Sequence, residues 1–242
     1  MADMPAEPIP FDGFEPDALQ FLADLAANND RSWFKPRKPD YERLIKEPLE
    51  ALCLALAERF NELRLPLVAD PKRSPFRIYR DVRFSKDKSP YKTAQGADFS
   101  WNDSRGDELR PRGAVGGYFH LEPGNVFVGG GMWHPERARL AAFREKIDRD
   151  PSAVFRAIED VRFRSVFGSV TGETLTRNPK GFPPDHPYSH LLRLKDVVFS
   201  RPLSDHDVMS AKLPSIIADD LNAARPVLLF LDQLAGAPQH MD

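Results

Sequence analysis

The residues best suited to chemistry lie between Phe76 and Lys92, in the run FRIYRDVRFSKDKSPYK. From Lys72 to Lys92 there are eight Lys/Arg against two aspartates, Asp81 and Asp87, a net +6 in a chain whose formal charge is −2. A cationic strip on an otherwise acidic protein points to an anionic ligand at one place. The strip reads first as a strand. Arg77, Tyr79, Asp81 and Arg83 share one face, and Phe76, Ile78, Val82 and Phe84 the other. The guanidinium fork suits phosphate or carboxylate oxygens. Arg80 falls on the apolar face, where a charge must be paired or line a cavity. Lys86, Lys88 and Lys92 follow on a loop positioned to close over an anion. The competing structural reading is a solvated strand face whose arginines pair with aspartates of the same chain.

Other constellations carry weaker signals. Gly129-Gly130-Gly131 precedes Met132-Trp133-His134 and a helix expected near Pro135, so Gly130 and Gly131 are ligand candidates at a helix N-terminus. The run has neither the G-K-[ST] ending of a P-loop nor GxGxxG spacing. Close backbone packing within a strand is the alternative. Asp185, His186 and His190, with His206 further on, are the residues a divalent metal would use, though no HExxH pattern is present. Capping and surface histidines are the structural reading, and no cofactor is predicted. Tyr118, His120 and Glu122 share one face of a strand. If that strand neighbours the arginine strand, Tyr79 and His120 join the cations in a face fit to stack on a base or sugar and hold a phosphate. By residue type, Asp81, His120, Asp185 and His186 are the acid/base candidates. No serine sits in GxSxG or SxxK.

These residues need a scaffold. The chain has 242 residues, enough for one large domain or two small ones, and its 41% hydrophobic content allows a sizeable core. Cys53, the single cysteine, lies in an apolar helical run and reads as a buried, inert thiol. No stretch has the apolar length of a membrane span, and MADMPAEPIP lacks the features of a secretory signal, so a cytoplasmic protein is expected. A sequence pI near 6.3 argues against a general DNA coat.

The spacing predicts a first helix after Asp17, ended by Asn28-Asn29-Asp30. A stiff connection through Pro36 and Pro39 follows, then a helix from about 39 to 63 with a break or kink at Pro48. After the basic strand come a strand near Phe99, a polar loop from Trp101 to Gly113, and a hairpin of strands 115–121 and 125–129 turning at Glu122-Pro123-Gly124. Helices follow from Pro135 and Pro151, the latter with Val154, Ile158 and Val161 inward. An irregular stretch over 165–190, a strand at 197–200 and C-terminal helices complete the chain. The fold expected is a single α+β domain over 11–242, with a mostly antiparallel central sheet flanked by N- and C-terminal helices, behind a flexible tail at 1–10.

Four motifs, FDGFEPDALQFLADLAANNDRSWF, FRIYRDVRFSKDKSPYKT, GGYFHLEPGNVFVGGGMWHP and NPKGFPPDHP, resemble the bacterial and fungal family known as domain of unknown function 2461. The resemblance spans Phe11 to Ser204 and implies one family-wide domain; it brings no cofactor and no catalytic residue. From the residues, the expected function is binding of an anionic, phosphorylated ligand, a nucleotide or short nucleic-acid segment, through Arg77, Tyr79, Arg80, Arg83, Lys86, Lys88 and Lys92. An enzyme using the acid/base or metal candidates at the same cleft, and a module binding an acidic protein, are the alternatives. No membrane partner is expected, and the oligomeric state is left open.

Overall fold

The computed structural model describes residues 10–83, 85–101 and 115–234. Most of the tail expected at 1–10, residues 102–113 of the polar loop expected at 101–113, and Phe84 lie outside them, while Trp101 ends a strand.

A five-stranded, wholly antiparallel sheet forms the centre of a single α+β domain. Its order is β1 (Leu67–Val68), β2 (Gln95–Trp101), β3 (Val115–Leu121), β4 (Phe127–Met132), β5 (Val197–Pro202). Strict alternation sets the two faces of β3. Val115, Gly117, Phe119 and Leu121 are buried, while Gly116, Tyr118 and His120 are half-exposed. On the buried face Phe99 meets Phe60 of α3 (Glu47–Glu62), Phe199 meets Phe163 and Phe167 of α6 (Val161–Phe167), and a Cβ on Gly117 would strike Leu221 of α9 (Leu213–Ala223). Helix α10 (Arg225–Gln233) packs beside α9 against β3 and β4. The N-terminal α1 (Pro16–Ala27) and α2 (Arg31–Tyr41) extend the core around Phe21, Phe34 and Tyr41. Between β4 and β5 lie α4 (Arg137–Arg149), α5 (Pro151–Ile158), α6 and α7 (Ser189–Leu192), and α8 (Asp205–Val208) follows β5. No helix of the described residues is long and apolar enough to cross a membrane.

Several expectations are corrected. The prolines at 36 and 39 lie inside α2 rather than in a connection. Asp30 starts that helix by accepting the Ser32 and Trp33 N–H groups, and Phe34 and Tyr41 bury in the aromatic core, so capping and packing outweigh the lost amide donors. Of the break or kink expected at Pro48, the structure shows no break but a local irregularity just before it. A π-helical turn over Glu42–Lys46, closed by the Glu47 N–H to the Glu42 carbonyl, widens the helix just where the Pro48 ring would press on the carbonyl four residues back. Val161 is 82% exposed rather than inward, because Asp160 caps a new helix there.

The largest correction is the basic run. Residues 75–92 do not form a central strand. They make a narrow, irregular arm, bridged at Pro75–Ala97 to β2 and to itself at Tyr79–Tyr91. Pro75 and Pro90 have no N–H for a ladder, and among the described residues of the arm only Ile78 and Tyr91 are buried apolar residues. An alternating sequence with so little burial on either face cannot hold a sheet position. The glycine run is likewise not a loop before a helix. Gly129, Gly130 and Gly131 lie in β4, paired on both sides. A Cβ on Gly131, whose φ is +116°, would come 2.2 Å from the Val197 carbonyl oxygen. The close-packing reading accounts for these glycines.

Gly131→Ala is expected to cost about 3 kcal/mol in urea unfolding, from backbone strain plus displacement of β5. Gly124→Ala, at a positive φ but with nothing within 4 Å of the new Cβ, should cost only about 1 kcal/mol. Equal losses at the two sites would mean that close approach to β5 is not what requires Gly131.

Candidate functional site

The arm and α2 enclose a cleft of about 680 Å³. Its position follows from one polar contact. The Asn29 side chain, in the turn between α1 and α2, donates to the Tyr91 carbonyl (3.0 Å) and accepts the Tyr91 N–H (3.1 Å). The amide thus mimics a neighbouring strand for one residue of the arm. The Tyr91 ring stacks on Phe34 of α2 at 4.1 Å between centroids, and Tyr79 leans on Tyr91 at 5.6 Å.

Five cations line the cleft, Arg31, Lys35 and Lys38 from α2 and Arg80 and Lys88 from the arm, with Asp30 the one carboxylate among the lining residues. Asp30 is turned to the helix it caps, and the Ser32 hydroxyl and the Trp33 N–H hold its carboxyl below the ordinary value. Arg31 and Lys35 have no hydrogen-bonded or ion-pair partner among the described residues. Lys38 is paired with Glu42 at 3.3 Å, on the exposed side of α2. Arg80 pairs with Asp87. Lys88 donates to the Val82 carbonyl (2.8 Å), closing the tip of the arm. Tyr79 is 58% exposed over this positive floor.

The anticipated basic residues therefore divide. Arg80, Lys88 and Tyr79 reach the cleft. Arg83 and Lys86 do not line it; Arg83 makes a two-bonded pair with its near neighbour Asp81 (3.0 and 2.7 Å), as the structural reading required. That pairing holds the Asp81 carboxyl down to about 2. Arg77 and Lys92 sit nearer the base of the arm. Lys92 lies over the Phe76 ring (5.0 Å), and burial, then the nearby Arg77 charge, lower its pKa. Phe76, expected on the apolar side, is the residue of the arm that meets Tyr118 (5.8 Å), so the anticipated shared face of Arg77, Tyr79, Asp81, Arg83, Tyr118 and His120 is not formed.

Sequence reading missed Arg31, Lys35 and Lys38, which fall at i, i+4 and i+7 on one helix face. The Asp30 cap signal before Ser32-Trp33 was the clue; the two prolines masked it. Asp81, His120, Asp185 and His186 do not converge: no hydrogen bond, ion pair or ring contact joins any two of them. His186 instead accepts the Tyr188 N–H at Nδ1 (3.1 Å) and lies 3.3 Å from Asp148 through Nε2. Among the described residues no group of three or more His, Cys, Asp or Glu side chains is placed to hold a metal ion, so Asp185, His186, His190 and His206 do not assemble into one.

Asn29→Ala should cost about 2 kcal/mol and sharply raise hydrogen exchange at the Tyr91 amide, since two bonds are lost and a backbone pair is left open; unchanged exchange would show that the ring stack alone holds the arm. Asp87 supplies a pH test. The Ser89 hydroxyl first, then the Ser89 N–H and Arg80, bring its carboxyl from an ordinary 3.8 to about 2. A depressed carboxyl stabilises above the ordinary value, and that contribution is lost as pH falls through about 2. Carboxyl carbon NMR should show this inflection, and Ser89→Ala should raise it more than Arg80→Ala; the reverse order would make Arg80 the main partner.

Comparison with curated proteins finds no match, and comparison with solved structures finds none either. A family model described as "Conserved hypothetical protein (DUF2461)" matches residues 17–230, which take in α1, the arm, the whole sheet and most of α10. The chain belongs to the DUF2461 family.

Proposed function

We propose that the protein binds a small phosphorylated ligand carrying a flat ring, a nucleotide being the simplest example, in the cleft between α2 and the arm. The observation that carries this reading is the set of cations on both walls, with Arg31 and Lys35 lacking counter-ions among the described residues. Such charges gain most from an anion that brings several oxygens to them at once. The cleft volume lies in the range of ordinary small-molecule sites, and Tyr79 offers a face to a base or sugar. A cytoplasmic setting suits this reading, with the one cysteine, Cys53, buried in α3. The ligand site is a helix–arm cleft and not the sheet face anticipated from alternation.

Binding is tested by calorimetry and thermal shift with nucleoside phosphates, sugar phosphates, inorganic phosphate and short oligonucleotides. A ligand at about a hundred times its dissociation constant adds roughly 2.7 kcal/mol, a rise of several degrees at roughly 2–4 °C per kcal/mol. Lys35→Ala and Arg31→Ala should each weaken binding roughly tenfold or more, as expected for a lost charge-assisted hydrogen bond. Tyr79→Ala should weaken ring-bearing ligands by about 1–3 kcal/mol and leave inorganic phosphate unchanged. Arg83→Ala should have little effect. A shift that survives the Arg31→Ala/Lys35→Ala double substitution, or no shift with any of these ligands, would overturn the reading.

A further inference from the structure

The open face of the sheet holds a second constellation, built from residues the cleft does not use. Tyr118, His120 and Glu122 follow one another on one side of β3 and are joined in a line. The Tyr118 hydroxyl lies 2.8 Å from His120 Nδ1, His120 Nε2 lies 3.2 Å from a Glu122 carboxylate oxygen, and Asn125 donates to that same oxygen at 3.0 Å. A carboxylate only accepts, so the proton of the neutral ring is on Nε2. Nδ1 then presents its lone pair to the phenol, and Tyr118 is the donor. Glu122 is held ionised for this role, because Asn125 first and then His120 lower its pKa. Phe127 stacks on the imidazole at 4.7 Å and fixes its plane. This is the order of groups found where an oxygen is made reactive: hydroxyl, base, and a carboxylate that orients the base.

We propose that Tyr118, His120 and Glu122 form a proton relay that makes the Tyr118 hydroxyl oxygen a nucleophile toward a carbonyl or phosphoryl group on an anionic substrate. In the step, the phenol oxygen bonds to the electrophilic carbon or phosphorus as its proton passes to His120 Nδ1. The leaving group departs with the electron pair of its bond and takes that proton from the imidazolium. Water then attacks the Tyr118 ester, gives its proton to His120, and the released phenol oxygen recovers it. The surroundings suit the step. Burial, with the Glu122 charge second, pushes the phenol up to about 12, so a standing phenolate is not available and proton removal by His120 is required. Gly96 of β2 puts no side chain over the hydroxyl; a Cβ there would lie 3.0 Å from it. Phe76, packed on Tyr118, carries Lys92 on its ring, with Arg77 adding positive charge; these two cations, set against the Asp98 carboxylate opposite Tyr118 on β2, are what an anionic substrate would meet.

The test uses 4-(fluorosulfonyl)benzoate on the intact protein, with the labelled tyrosine located by peptide mass spectrometry. The reagent reproduces the step: the phenol oxygen bonds to sulfur, fluoride leaves, and the proton goes to His120. Tyr118 should react at least tenfold faster than Tyr79, which is far more exposed and serves as the internal standard. His120→Gln should slow Tyr118 at least tenfold without altering Tyr79, and added imidazole should restore the rate in His120→Ala. Lys92→Ala should raise the reagent concentration for half-maximal rate. If His120→Gln melts early, Glu122→Gln and Asn125→Ala replace it and should each slow Tyr118 several-fold. Labelling of Tyr79 with Tyr118 unmodified, or a Tyr118 rate indifferent to His120, Glu122 and Asn125, would overturn the proposal and leave a structural hydrogen-bond chain. Arg31→Ala, which disables the cleft, should not change the Tyr118 rate, so the two proposals stand or fall separately.

Discussion

The arm from Pro75 to Lys92 is tied at Tyr91 by the Asn29 amide, and the cleft depends on that tie. Among the described residues of the arm, Ile78 and Tyr91 are the buried apolar ones, so burial there is sparse. Its cations oppose docking, because the adjoining wall of α2 is also positive. Exposed like charges repel weakly at physiological salt, where the screening length is about 8 Å. Two hydrogen bonds to the backbone of one residue, together with the Phe34–Tyr91 stack, contribute a few kcal/mol on the other side. That balance favours a docked arm while leaving the charge unneutralised. An anion between the walls would remove the repulsion and leave the tie intact.

The sheet solves a different problem. Tyr118 is a large residue on β3; Asp98 lies opposite it on β2, and glycines make room for it at two other points. Gly129 of β4 is its register partner, and Gly96 of β2 lies under its hydroxyl. On the opposite face Gly117 makes room for Leu221 of α9. The glycines of this protein thus act by absence, allowing one helix to approach closely and one phenol to lie flat along its own strand toward His120. The line Tyr118–His120–Glu122 then needs no loop to position it. A pleated strand places residues i, i+2 and i+4 on one side, and long side chains span the interval between them.

What could be read from the sequence follows from how much of each element is buried. Strands β2, β3 and β5 and the turn at Glu122-Pro123-Gly124 were legible because one face of the sheet is packed on helices, so alternation in type reports alternation in burial, while the glycine half of β4 was not legible. The arm carries the same alternation, and there it misleads. Phe76 is exposed, Val82 is half-buried, and among the described residues of the expected apolar face only Ile78 is buried. Nothing local distinguishes the two cases, since the difference lies in whether a second layer exists to cover the face. Helix α2 failed to read for the opposite reason. Pro36 and Pro39 signal a break locally, and the aromatic packing of Phe34 and Tyr41 that overrides them comes from α1 and the arm. The basic strip was legible as a charge; its partner wall was not, because α2 itself was not seen.

The bridges of the arm explain why one run of cations serves two places. Arg77 and Lys92 lie between the Pro75–Ala97 bridge and the Tyr79–Tyr91 bridge, next to the sheet, while Arg80 and Lys88 lie beyond the second bridge, next to α2. The ring of Tyr91 occupies the boundary, stacked on Phe34 and fixed by Asn29. A strand of this composition would have spread its cations along one face of the sheet. A twice-bridged ribbon instead sends them to opposite ends of the arm, on either side of Tyr91. The contact between Phe76 and Tyr118 joins the base of the arm to the open face of the sheet, while Arg80 and Lys88 at its tip face α2.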